Sequence, residues 1–296
     1  MIVVKLKGGL GNQMFQYALA RSLSFSMNRA FRLDKSYLDD KTLRHDFTIR
    51  NYELNVFNIP TIQWASRADI NRAFGRGRSW LECRINTIRQ KFFPYCIYQQ
   101  RFFHFDPEVL HIPSRSYVDG YWQSYKYFQD IAPQIRQDYS FTQPMNNRSQ
   151  EIAQRIEGCC AVSIHIRRGD YVSNLIANQH HGICSKDYYL KGIELIKRRV
   201  ENPYFFFFSD DPQWVVQNFT IDEHSEVISH NQGKDAYQDM QLMSQCNHHI
   251  IANSTFSWWG AWLNDSLHKI VIAPNQWFTD RSVNTNDLFP KDWLRI

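Results

Sequence analysis

The second half of the chain alternates short apolar runs with helical segments, and that alternation constrains the fold more than any other feature, because it predicts a parallel sheet. Strands are predicted over 160–166, 204–208, 226–228, 249–252 and 270–273. Helices are predicted over 186–200, 212–218, 235–246 and 256–264, with Ser185 capping the first and Pro212 opening the second. The N-terminus begins in the same way. "MIVVKLKGGLGNQMFQYALARSLSFSMN" reads as strand, glycine-rich turn and helix, with Met14, Phe15, Ala18, Leu19 and Leu23 on one apolar face. Further strands are expected at 30–34 and 116–122, the latter followed by a helix capped near Ser124, and residues 35–115 show little pattern beyond a helix over their basic stretch. Two α/β domains follow, 1–145 and 146–296, divided within the polar segment "FTQPMNNRSQ" at 141–150.

The strand endings narrow the chemistry. "AVSIHI" runs into "RRGD", "YFFFF" into "SDD", "HIIA" into "NSTFSWWG" and "KIVIA" into "PNQW". In a parallel sheet these ends share one edge, where the ligands of open α/β sheets bind. One charged ending is ordinary, but three of the four bring charged or hydroxyl groups to a single crevice. Arg167 and Arg168 offer planar forks for phosphate. Ser254 and Thr255 precede a helix whose free N–H groups and dipole favour an anion. A carboxylate at Asp210 or Asp211 suits the N1 and N2 edge of guanine, so a nucleoside diphosphate fits all three features. "GGLGNQ" at 8–13 lacks the Lys-Ser/Thr of a Walker loop and does not match G-x-G-x-x-G. It is read as a tight turn presenting Asn12 and Gln13.

In this order, "GGLGNQMFQYA", "HIRRGDYV", "FSDDPQW" and "NSTFSWWGAWLN" resemble the bacterial members of glycosyltransferase family 11, the GDP-fucose-dependent galactoside α-1,2-fucosyltransferases, from residue 3 to about 278. The resemblance implies a GT-B-like α/β fold of two facing Rossmann-type domains with parallel sheets, the donor bound mainly by the C-terminal one. It implies inversion at the fucose carbon, with GDP-fucose as a substrate, no cofactor and no required metal. By motif position, Arg167 resembles the arginine that binds the donor β-phosphate, and His165 and Asp211 resemble guanine-reading residues. Ser254, Thr255 and Ser257 fall in the phosphate-binding loop, and Arg168, Ser209, Asp210 and Asn253 are expected at the donor with them. Asn12 matches an asparagine that lies beside the reacting hydroxyl in related O-fucosyltransferases, and Gln13 and His181 are expected on the acceptor side. The α-1,6 enzymes continue from "HIRRGD" to a glutamate proposed as base, where this chain has "YVSNLIANQHHG". Asp170 and His181 are therefore both candidates, and late proton loss to the leaving phosphate is equally open.

The expected reaction is fucosyl transfer from GDP-β-L-fucose to the 2-hydroxyl of a terminal β-galactoside in a surface glycan, lipid-linked or free. A fucosyltransferase of another linkage and a non-catalytic GDP-sugar-binding protein are the alternatives. The net charge of +5 is concentrated at 67–101, where eight Lys or Arg meet only Asp69 and Glu82, interleaved with Trp80, Phe92, Phe93 and Tyr95. That stretch reads as a solvated helix face or as a patch for anionic lipid or a lipid-linked acceptor. It does not argue for nucleic acid. Six cysteines without a C-x-x-C pair point to a reducing compartment, and His248 and His249 lack a nearby Cys or carboxylate at metal-ligand spacing. No signal peptide or membrane span is visible, so a cytoplasmic protein is expected, peripheral at the inner face of the membrane if the basic stretch meets lipid.

Overall fold

The computed structural model describes residues 1–42, 50–75, 80–92, 94–169, 174, 178–179 and 181–296, with the backbone alone for 81, 89, 90 and 92. The described residues of Met1–Leu43, Ile49–Ser140 and Asn284–Phe289 make one compact unit, and those of Phe141–Val283 and Pro290–Ile296 a second.

The first unit holds strands β1 (Ile2–Lys5), β2 (Phe31–Asp34), β3 (Cys96–Gln99) and β4 (Ser116–Asp119) in the parallel order β2-β1-β4-β3. Its helices include α1 (Leu10–Met27), α2 (Arg67–Ala73), α3 (Trp80–Phe92) and α4 (Ala132–Asp138). The apolar face expected of α1 is fully buried at Met14, Phe15, Ala18, Leu19 and Leu23. Gln13, Gln16 and Tyr17 are buried as well, so the helix is enclosed on several sides rather than laid on a surface. The expected helix at Ser124 is a correction. Ser124 instead caps a single 3-10 turn, Tyr125–Tyr127, by accepting from the Lys126 N–H at 3.3 Å, and a second such turn spans Gln129–Ile131. The α-helix starts only at Ala132, where Pro133 sits in the first turn, the one place where its missing N–H costs nothing.

The second unit contains α5 (Asn147–Glu157), β5 (Cys160–Ile166), α6 (Lys186–Lys197), β6 (Pro203–Ser209), α7 (Pro212–Asn218), β7 (Ser225–Ile228), α8 (Tyr237–Gln245), β8 (His248–Ile250), α9 (Thr255–Leu263), β9 (Val271–Ala273) and β10 (Leu294–Arg295). Its sheet is parallel throughout in the order β10-β9-β8-β5-β6-β7. Strands β5 to β7 build in one direction and β8 to β10 in the other, so the order reverses between β5 and β8. In an open α/β sheet, that reversal opens a crevice at the carboxyl ends of the two strands.

Close helix–sheet packing keeps this sheet in place. A Cβ on Gly192, in α6, would stand 3.1 Å from the Cδ1 and Cγ2 atoms of Ile250 on β8. Gly192→Val therefore forces the helix off the sheet, at a cost of roughly 1–3 kcal/mol. The thermal midpoint should fall by at least about 3 °C; an unchanged midpoint would show that the contact can relax freely.

Candidate functional site at the strand switch point

Strands β5 and β6 pair in register, with Ile166 opposite Ser209, so the residues that follow them leave the sheet side by side. Two arginines then meet two aspartates. Arg167 Nη1 lies 2.8 Å from Asp210 Oδ2, while the backbone N–H of Arg168 donates to Asp210 Oδ1 at 2.8 Å. The Arg168 Nε donates to Asp211 Oδ2 at 3.0 Å, and its guanidinium stacks over Trp214, 4.1 Å from the ring centroid. Asp211 also caps α7 by accepting from the Trp214 N–H at 3.2 Å, and its own N–H donates to Ser209 Oγ at 3.0 Å. Gly169 is needed for this arrangement, because a Cβ there would come within 2.5 Å of Asp210 Oδ2.

The consequence is a division of labour between neighbours. Arg168 is held by an ion pair, a backbone bond and an aromatic face, which makes it part of the frame. Asp211, with both carboxylate oxygens engaged inside the protein, serves that frame too. Arg167 keeps about a quarter of its side chain exposed at the same edge.

His165, near the end of β5, is buried, and burial lowers its pKa to about 4 in spite of the nearby Asp210 carboxylate. The imidazole is therefore neutral at neutral pH. Its Nδ1 is buried without a hydrogen-bond partner among the described residues, the kind of atom that calls for an explanation. The ring lies 5.7 Å from that of Phe256, which joins the end of β5 to the start of α9 across the switch point.

Helix α9 begins there because Ser254, in an extended conformation, caps it by accepting from the Phe256 N–H at 3.3 Å. Thr255 is its first residue, and the helix is anchored by Trp258, Trp259 and Trp262, whose rings pack 4.9 to 6.2 Å apart. A rigid helix so placed directs its free N–H groups at the crevice. Asn253 Nδ2 donates to the carbonyls of His181 at 2.8 Å and of Gly182 and Trp277 at 3.3 Å, which brings His181 to the same edge. Ser257 is different. Its hydroxyl is buried and donates to the carbonyls of Ala252 and Ser254, so it closes the cap from inside. Asp170 lies outside the described residues.

The two residues of the N-terminal turn separate as well. Gly8 adopts φ +78°, and α1 already starts at Leu10, so Asn12 and Gln13 occupy its first turn. Asn12 is half-buried, and its Oδ1 accepts from Gln123 Nε2 at 2.9 Å. Gln13 is fully buried: its amide donates to the carbonyls of Gly8 and Asn51 and accepts from the Glu53 N–H. That leaves Gln13 a structural part, with its amide spent on the chain's own backbone. Trp214, Gly169, Phe256 and Gln123 were not singled out in the sequence. Trp214 carried a legible signal, lying three residues after Asp211 in a helix opened by Pro212; the other three depend on contacts between distant segments.

The profile of glycosyl transferase family 11 matches residues 79–296. The chain belongs to that family. The family 11 match takes in the whole switch-point edge but leaves the turn at 8–13 outside it. That turn is covered by a full-length relative, the alpha-1,2-colitosyltransferase of Escherichia coli, 34% identical over 100% of this chain and 99% of its own. The mouse galactoside 2-alpha-L-fucosyltransferase Sec1 is 25% identical over 89% of this chain and 64% of its own. Among solved structures, the α-1,6-fucosyltransferase NodZ of Bradyrhizobium, soaked with GDP-fucose, superposes with a TM-score of 0.52 at 13% identity over 88% of this chain and 91% of that one. That likeness concerns the fold, and it makes this family 11 chain a GT-B protein.

The contrast within the turn is open to measurement. Gln13→Ala strands three backbone groups and should cost about 2–4 kcal/mol of stability. Asn12→Ala loses one amide contact and should cost about 1 kcal/mol. Denaturant melts that rank the two equally would contradict the division.

Proposed function

We propose that the chain transfers L-fucose from GDP-β-L-fucose to the 2-hydroxyl of a terminal β-galactoside. The observation that carries this reading is the Arg167 fork held by Asp210 at the end of β5, next to the N-terminus of α9. Together they offer a leaving diphosphate a charge-assisted donor and helix N–H groups. His165, neutral and with a ring nitrogen that has no partner among the described residues, is suited to the base of the nucleotide.

The α-1,2 linkage is supported by two relatives that differ in sugar but share that linkage in their names. A β-linked donor and an α-linked product require inversion at the anomeric carbon. The bond from C1 to the β-phosphate oxygen breaks and the bond to the acceptor oxygen forms, the hydroxyl proton passing to the released phosphate or to solvent. Asn12, an amide, orients an acceptor hydroxyl without serving as base. The diphosphate charge is met by Arg167 and the helix N-terminus, so activity is proposed to need no divalent metal.

Colitose is the specific second reading for the sugar, because the full-length relative is a colitosyltransferase. Colitose is fucose without its 3-hydroxyl, so a site that hydrogen-bonds that hydroxyl discriminates strongly. The test incubates the protein, in EDTA, with lactose and either GDP-fucose or GDP-colitose, followed by linkage analysis. The expected outcome is α-1,2-fucosyllactose, with kcat/KM favouring fucose by at least about a hundredfold. A colitose preference would replace the donor, another linkage would replace the acceptor geometry, and binding without transfer would remove the enzyme reading altogether.

A further inference from the structure

Helix α3 turns an unexpected face to solvent. Its sequence repeats apolar residues at 81, 85, 88 and 92, the spacing of a single helical stripe, which in a helix packed on a core points inward. Here Ile85 is 41% and Ile88 55% exposed, while among the described side chains of the helix the half-buried ones are Cys83 and Asn86, on the opposite side. Trp80, at its start, is 70% exposed and has the Arg84 guanidinium 4.7 Å from its ring centroid. Lys91 is exposed as well. Cations thus border the exposed apolar stripe, and Glu82 is the one acid in the sequence of the helix.

We propose that α3 docks the protein on an anionic lipid surface, with Trp80, Ile85 and Ile88 at the acyl boundary and Arg84 and Lys91 reaching the headgroup phosphates. Charge complementarity selects this occupant. In sequence the helix carries Arg84, Arg89 and Lys91 against the single acid Glu82, and Arg84 and Lys91 are exposed beside the stripe, so this face is cationic. A protein partner would cover the apolar stripe, but it would need neither the cationic border nor a tryptophan at its rim, whereas both belong to helices that lie in a membrane interface. The contact is peripheral: among the described residues no helix is long and apolar enough to cross a membrane. The inference stands apart from the transfer reading, since none of the residues named at the switch point lies on α3.

The experiment floats the full chain with vesicles of phosphatidylcholine alone or mixed with phosphatidylglycerol, at low and high salt. At least tenfold more protein should float with the mixed vesicles, and high salt should release it. Trp80→Ser combined with Ile88→Asn should abolish flotation while GDP affinity in solution is unchanged, which reports that the fold survives. Lys91→Glu, at an exposed position that leaves the fold intact, should weaken binding several-fold. Equal recovery on neutral and anionic vesicles would overturn the proposal, as would indifference to both variants. So would absent vesicle binding together with a dimer that Ile88→Asn disperses, because the stripe would then be a contact between copies of this chain.

Discussion

The in-register pairing of β5 with β6 is the constraint on which the site depends, because it makes Arg167 and Arg168 emerge beside Asp210 and Asp211. The four side chains are only partly buried, so the two ion pairs add modestly to stability and chiefly hold the groups in place. Here each arginine has its carboxylate, at 2.8 and 3.0 Å. The pairing also fixes direction. A fork already oriented by Asp210 loses little entropy when it meets a phosphate, and preorganised charge of this kind is the largest single contribution to many transfer reactions.

The switch point supplies the other half. β5 and β8 are neighbours whose chains continue to strands on opposite sides of them, the reversal at which open α/β sheets bind their ligands. An apolar, tryptophan-anchored α9 keeps its N-terminus at one side, and the end of β5 with its neutral histidine forms the other. The contact between His165 and Phe256 ties the two sides together. The site is thus assembled from elements that are themselves well packed, which a group-transfer site needs if its donors are to be in place before the substrate arrives.

Much of this was legible in the sequence. The long apolar runs of β5 and β6 and the polar groups after them declare a parallel sheet with one functional edge, and Ser185 and Pro212 mark helix starts where they stand. β3 escaped notice because its residues alternate between half-buried and exposed within a basic stretch, and β10 because two residues carry no pattern. Roles were harder to read than places. Gln13 and Asn12 are adjacent in the sequence, yet one is enclosed by backbone from residues 51 and 53 and the other meets Gln123, and no local signal distinguishes them. The same holds for Ser257, which looks like another hydroxyl in a phosphate loop until its bonds to Ala252 and Ser254 are seen. Asp211 is also the helix cap and the partner of Arg168, a double duty that only the paired strand ends reveal.

The central claim is that Arg167 meets the diphosphate while the nucleoside is held elsewhere on the edge. Calorimetry of GDP and of guanosine, on the parent protein and on Arg167→Lys, tests it most directly. A lysine keeps the charge but loses the planar fork, so GDP affinity should fall by at least about tenfold. Guanosine affinity should stay within about twofold, below the energy of one ordinary hydrogen bond. Equal losses for both ligands, or an unchanged GDP affinity, would contradict the account.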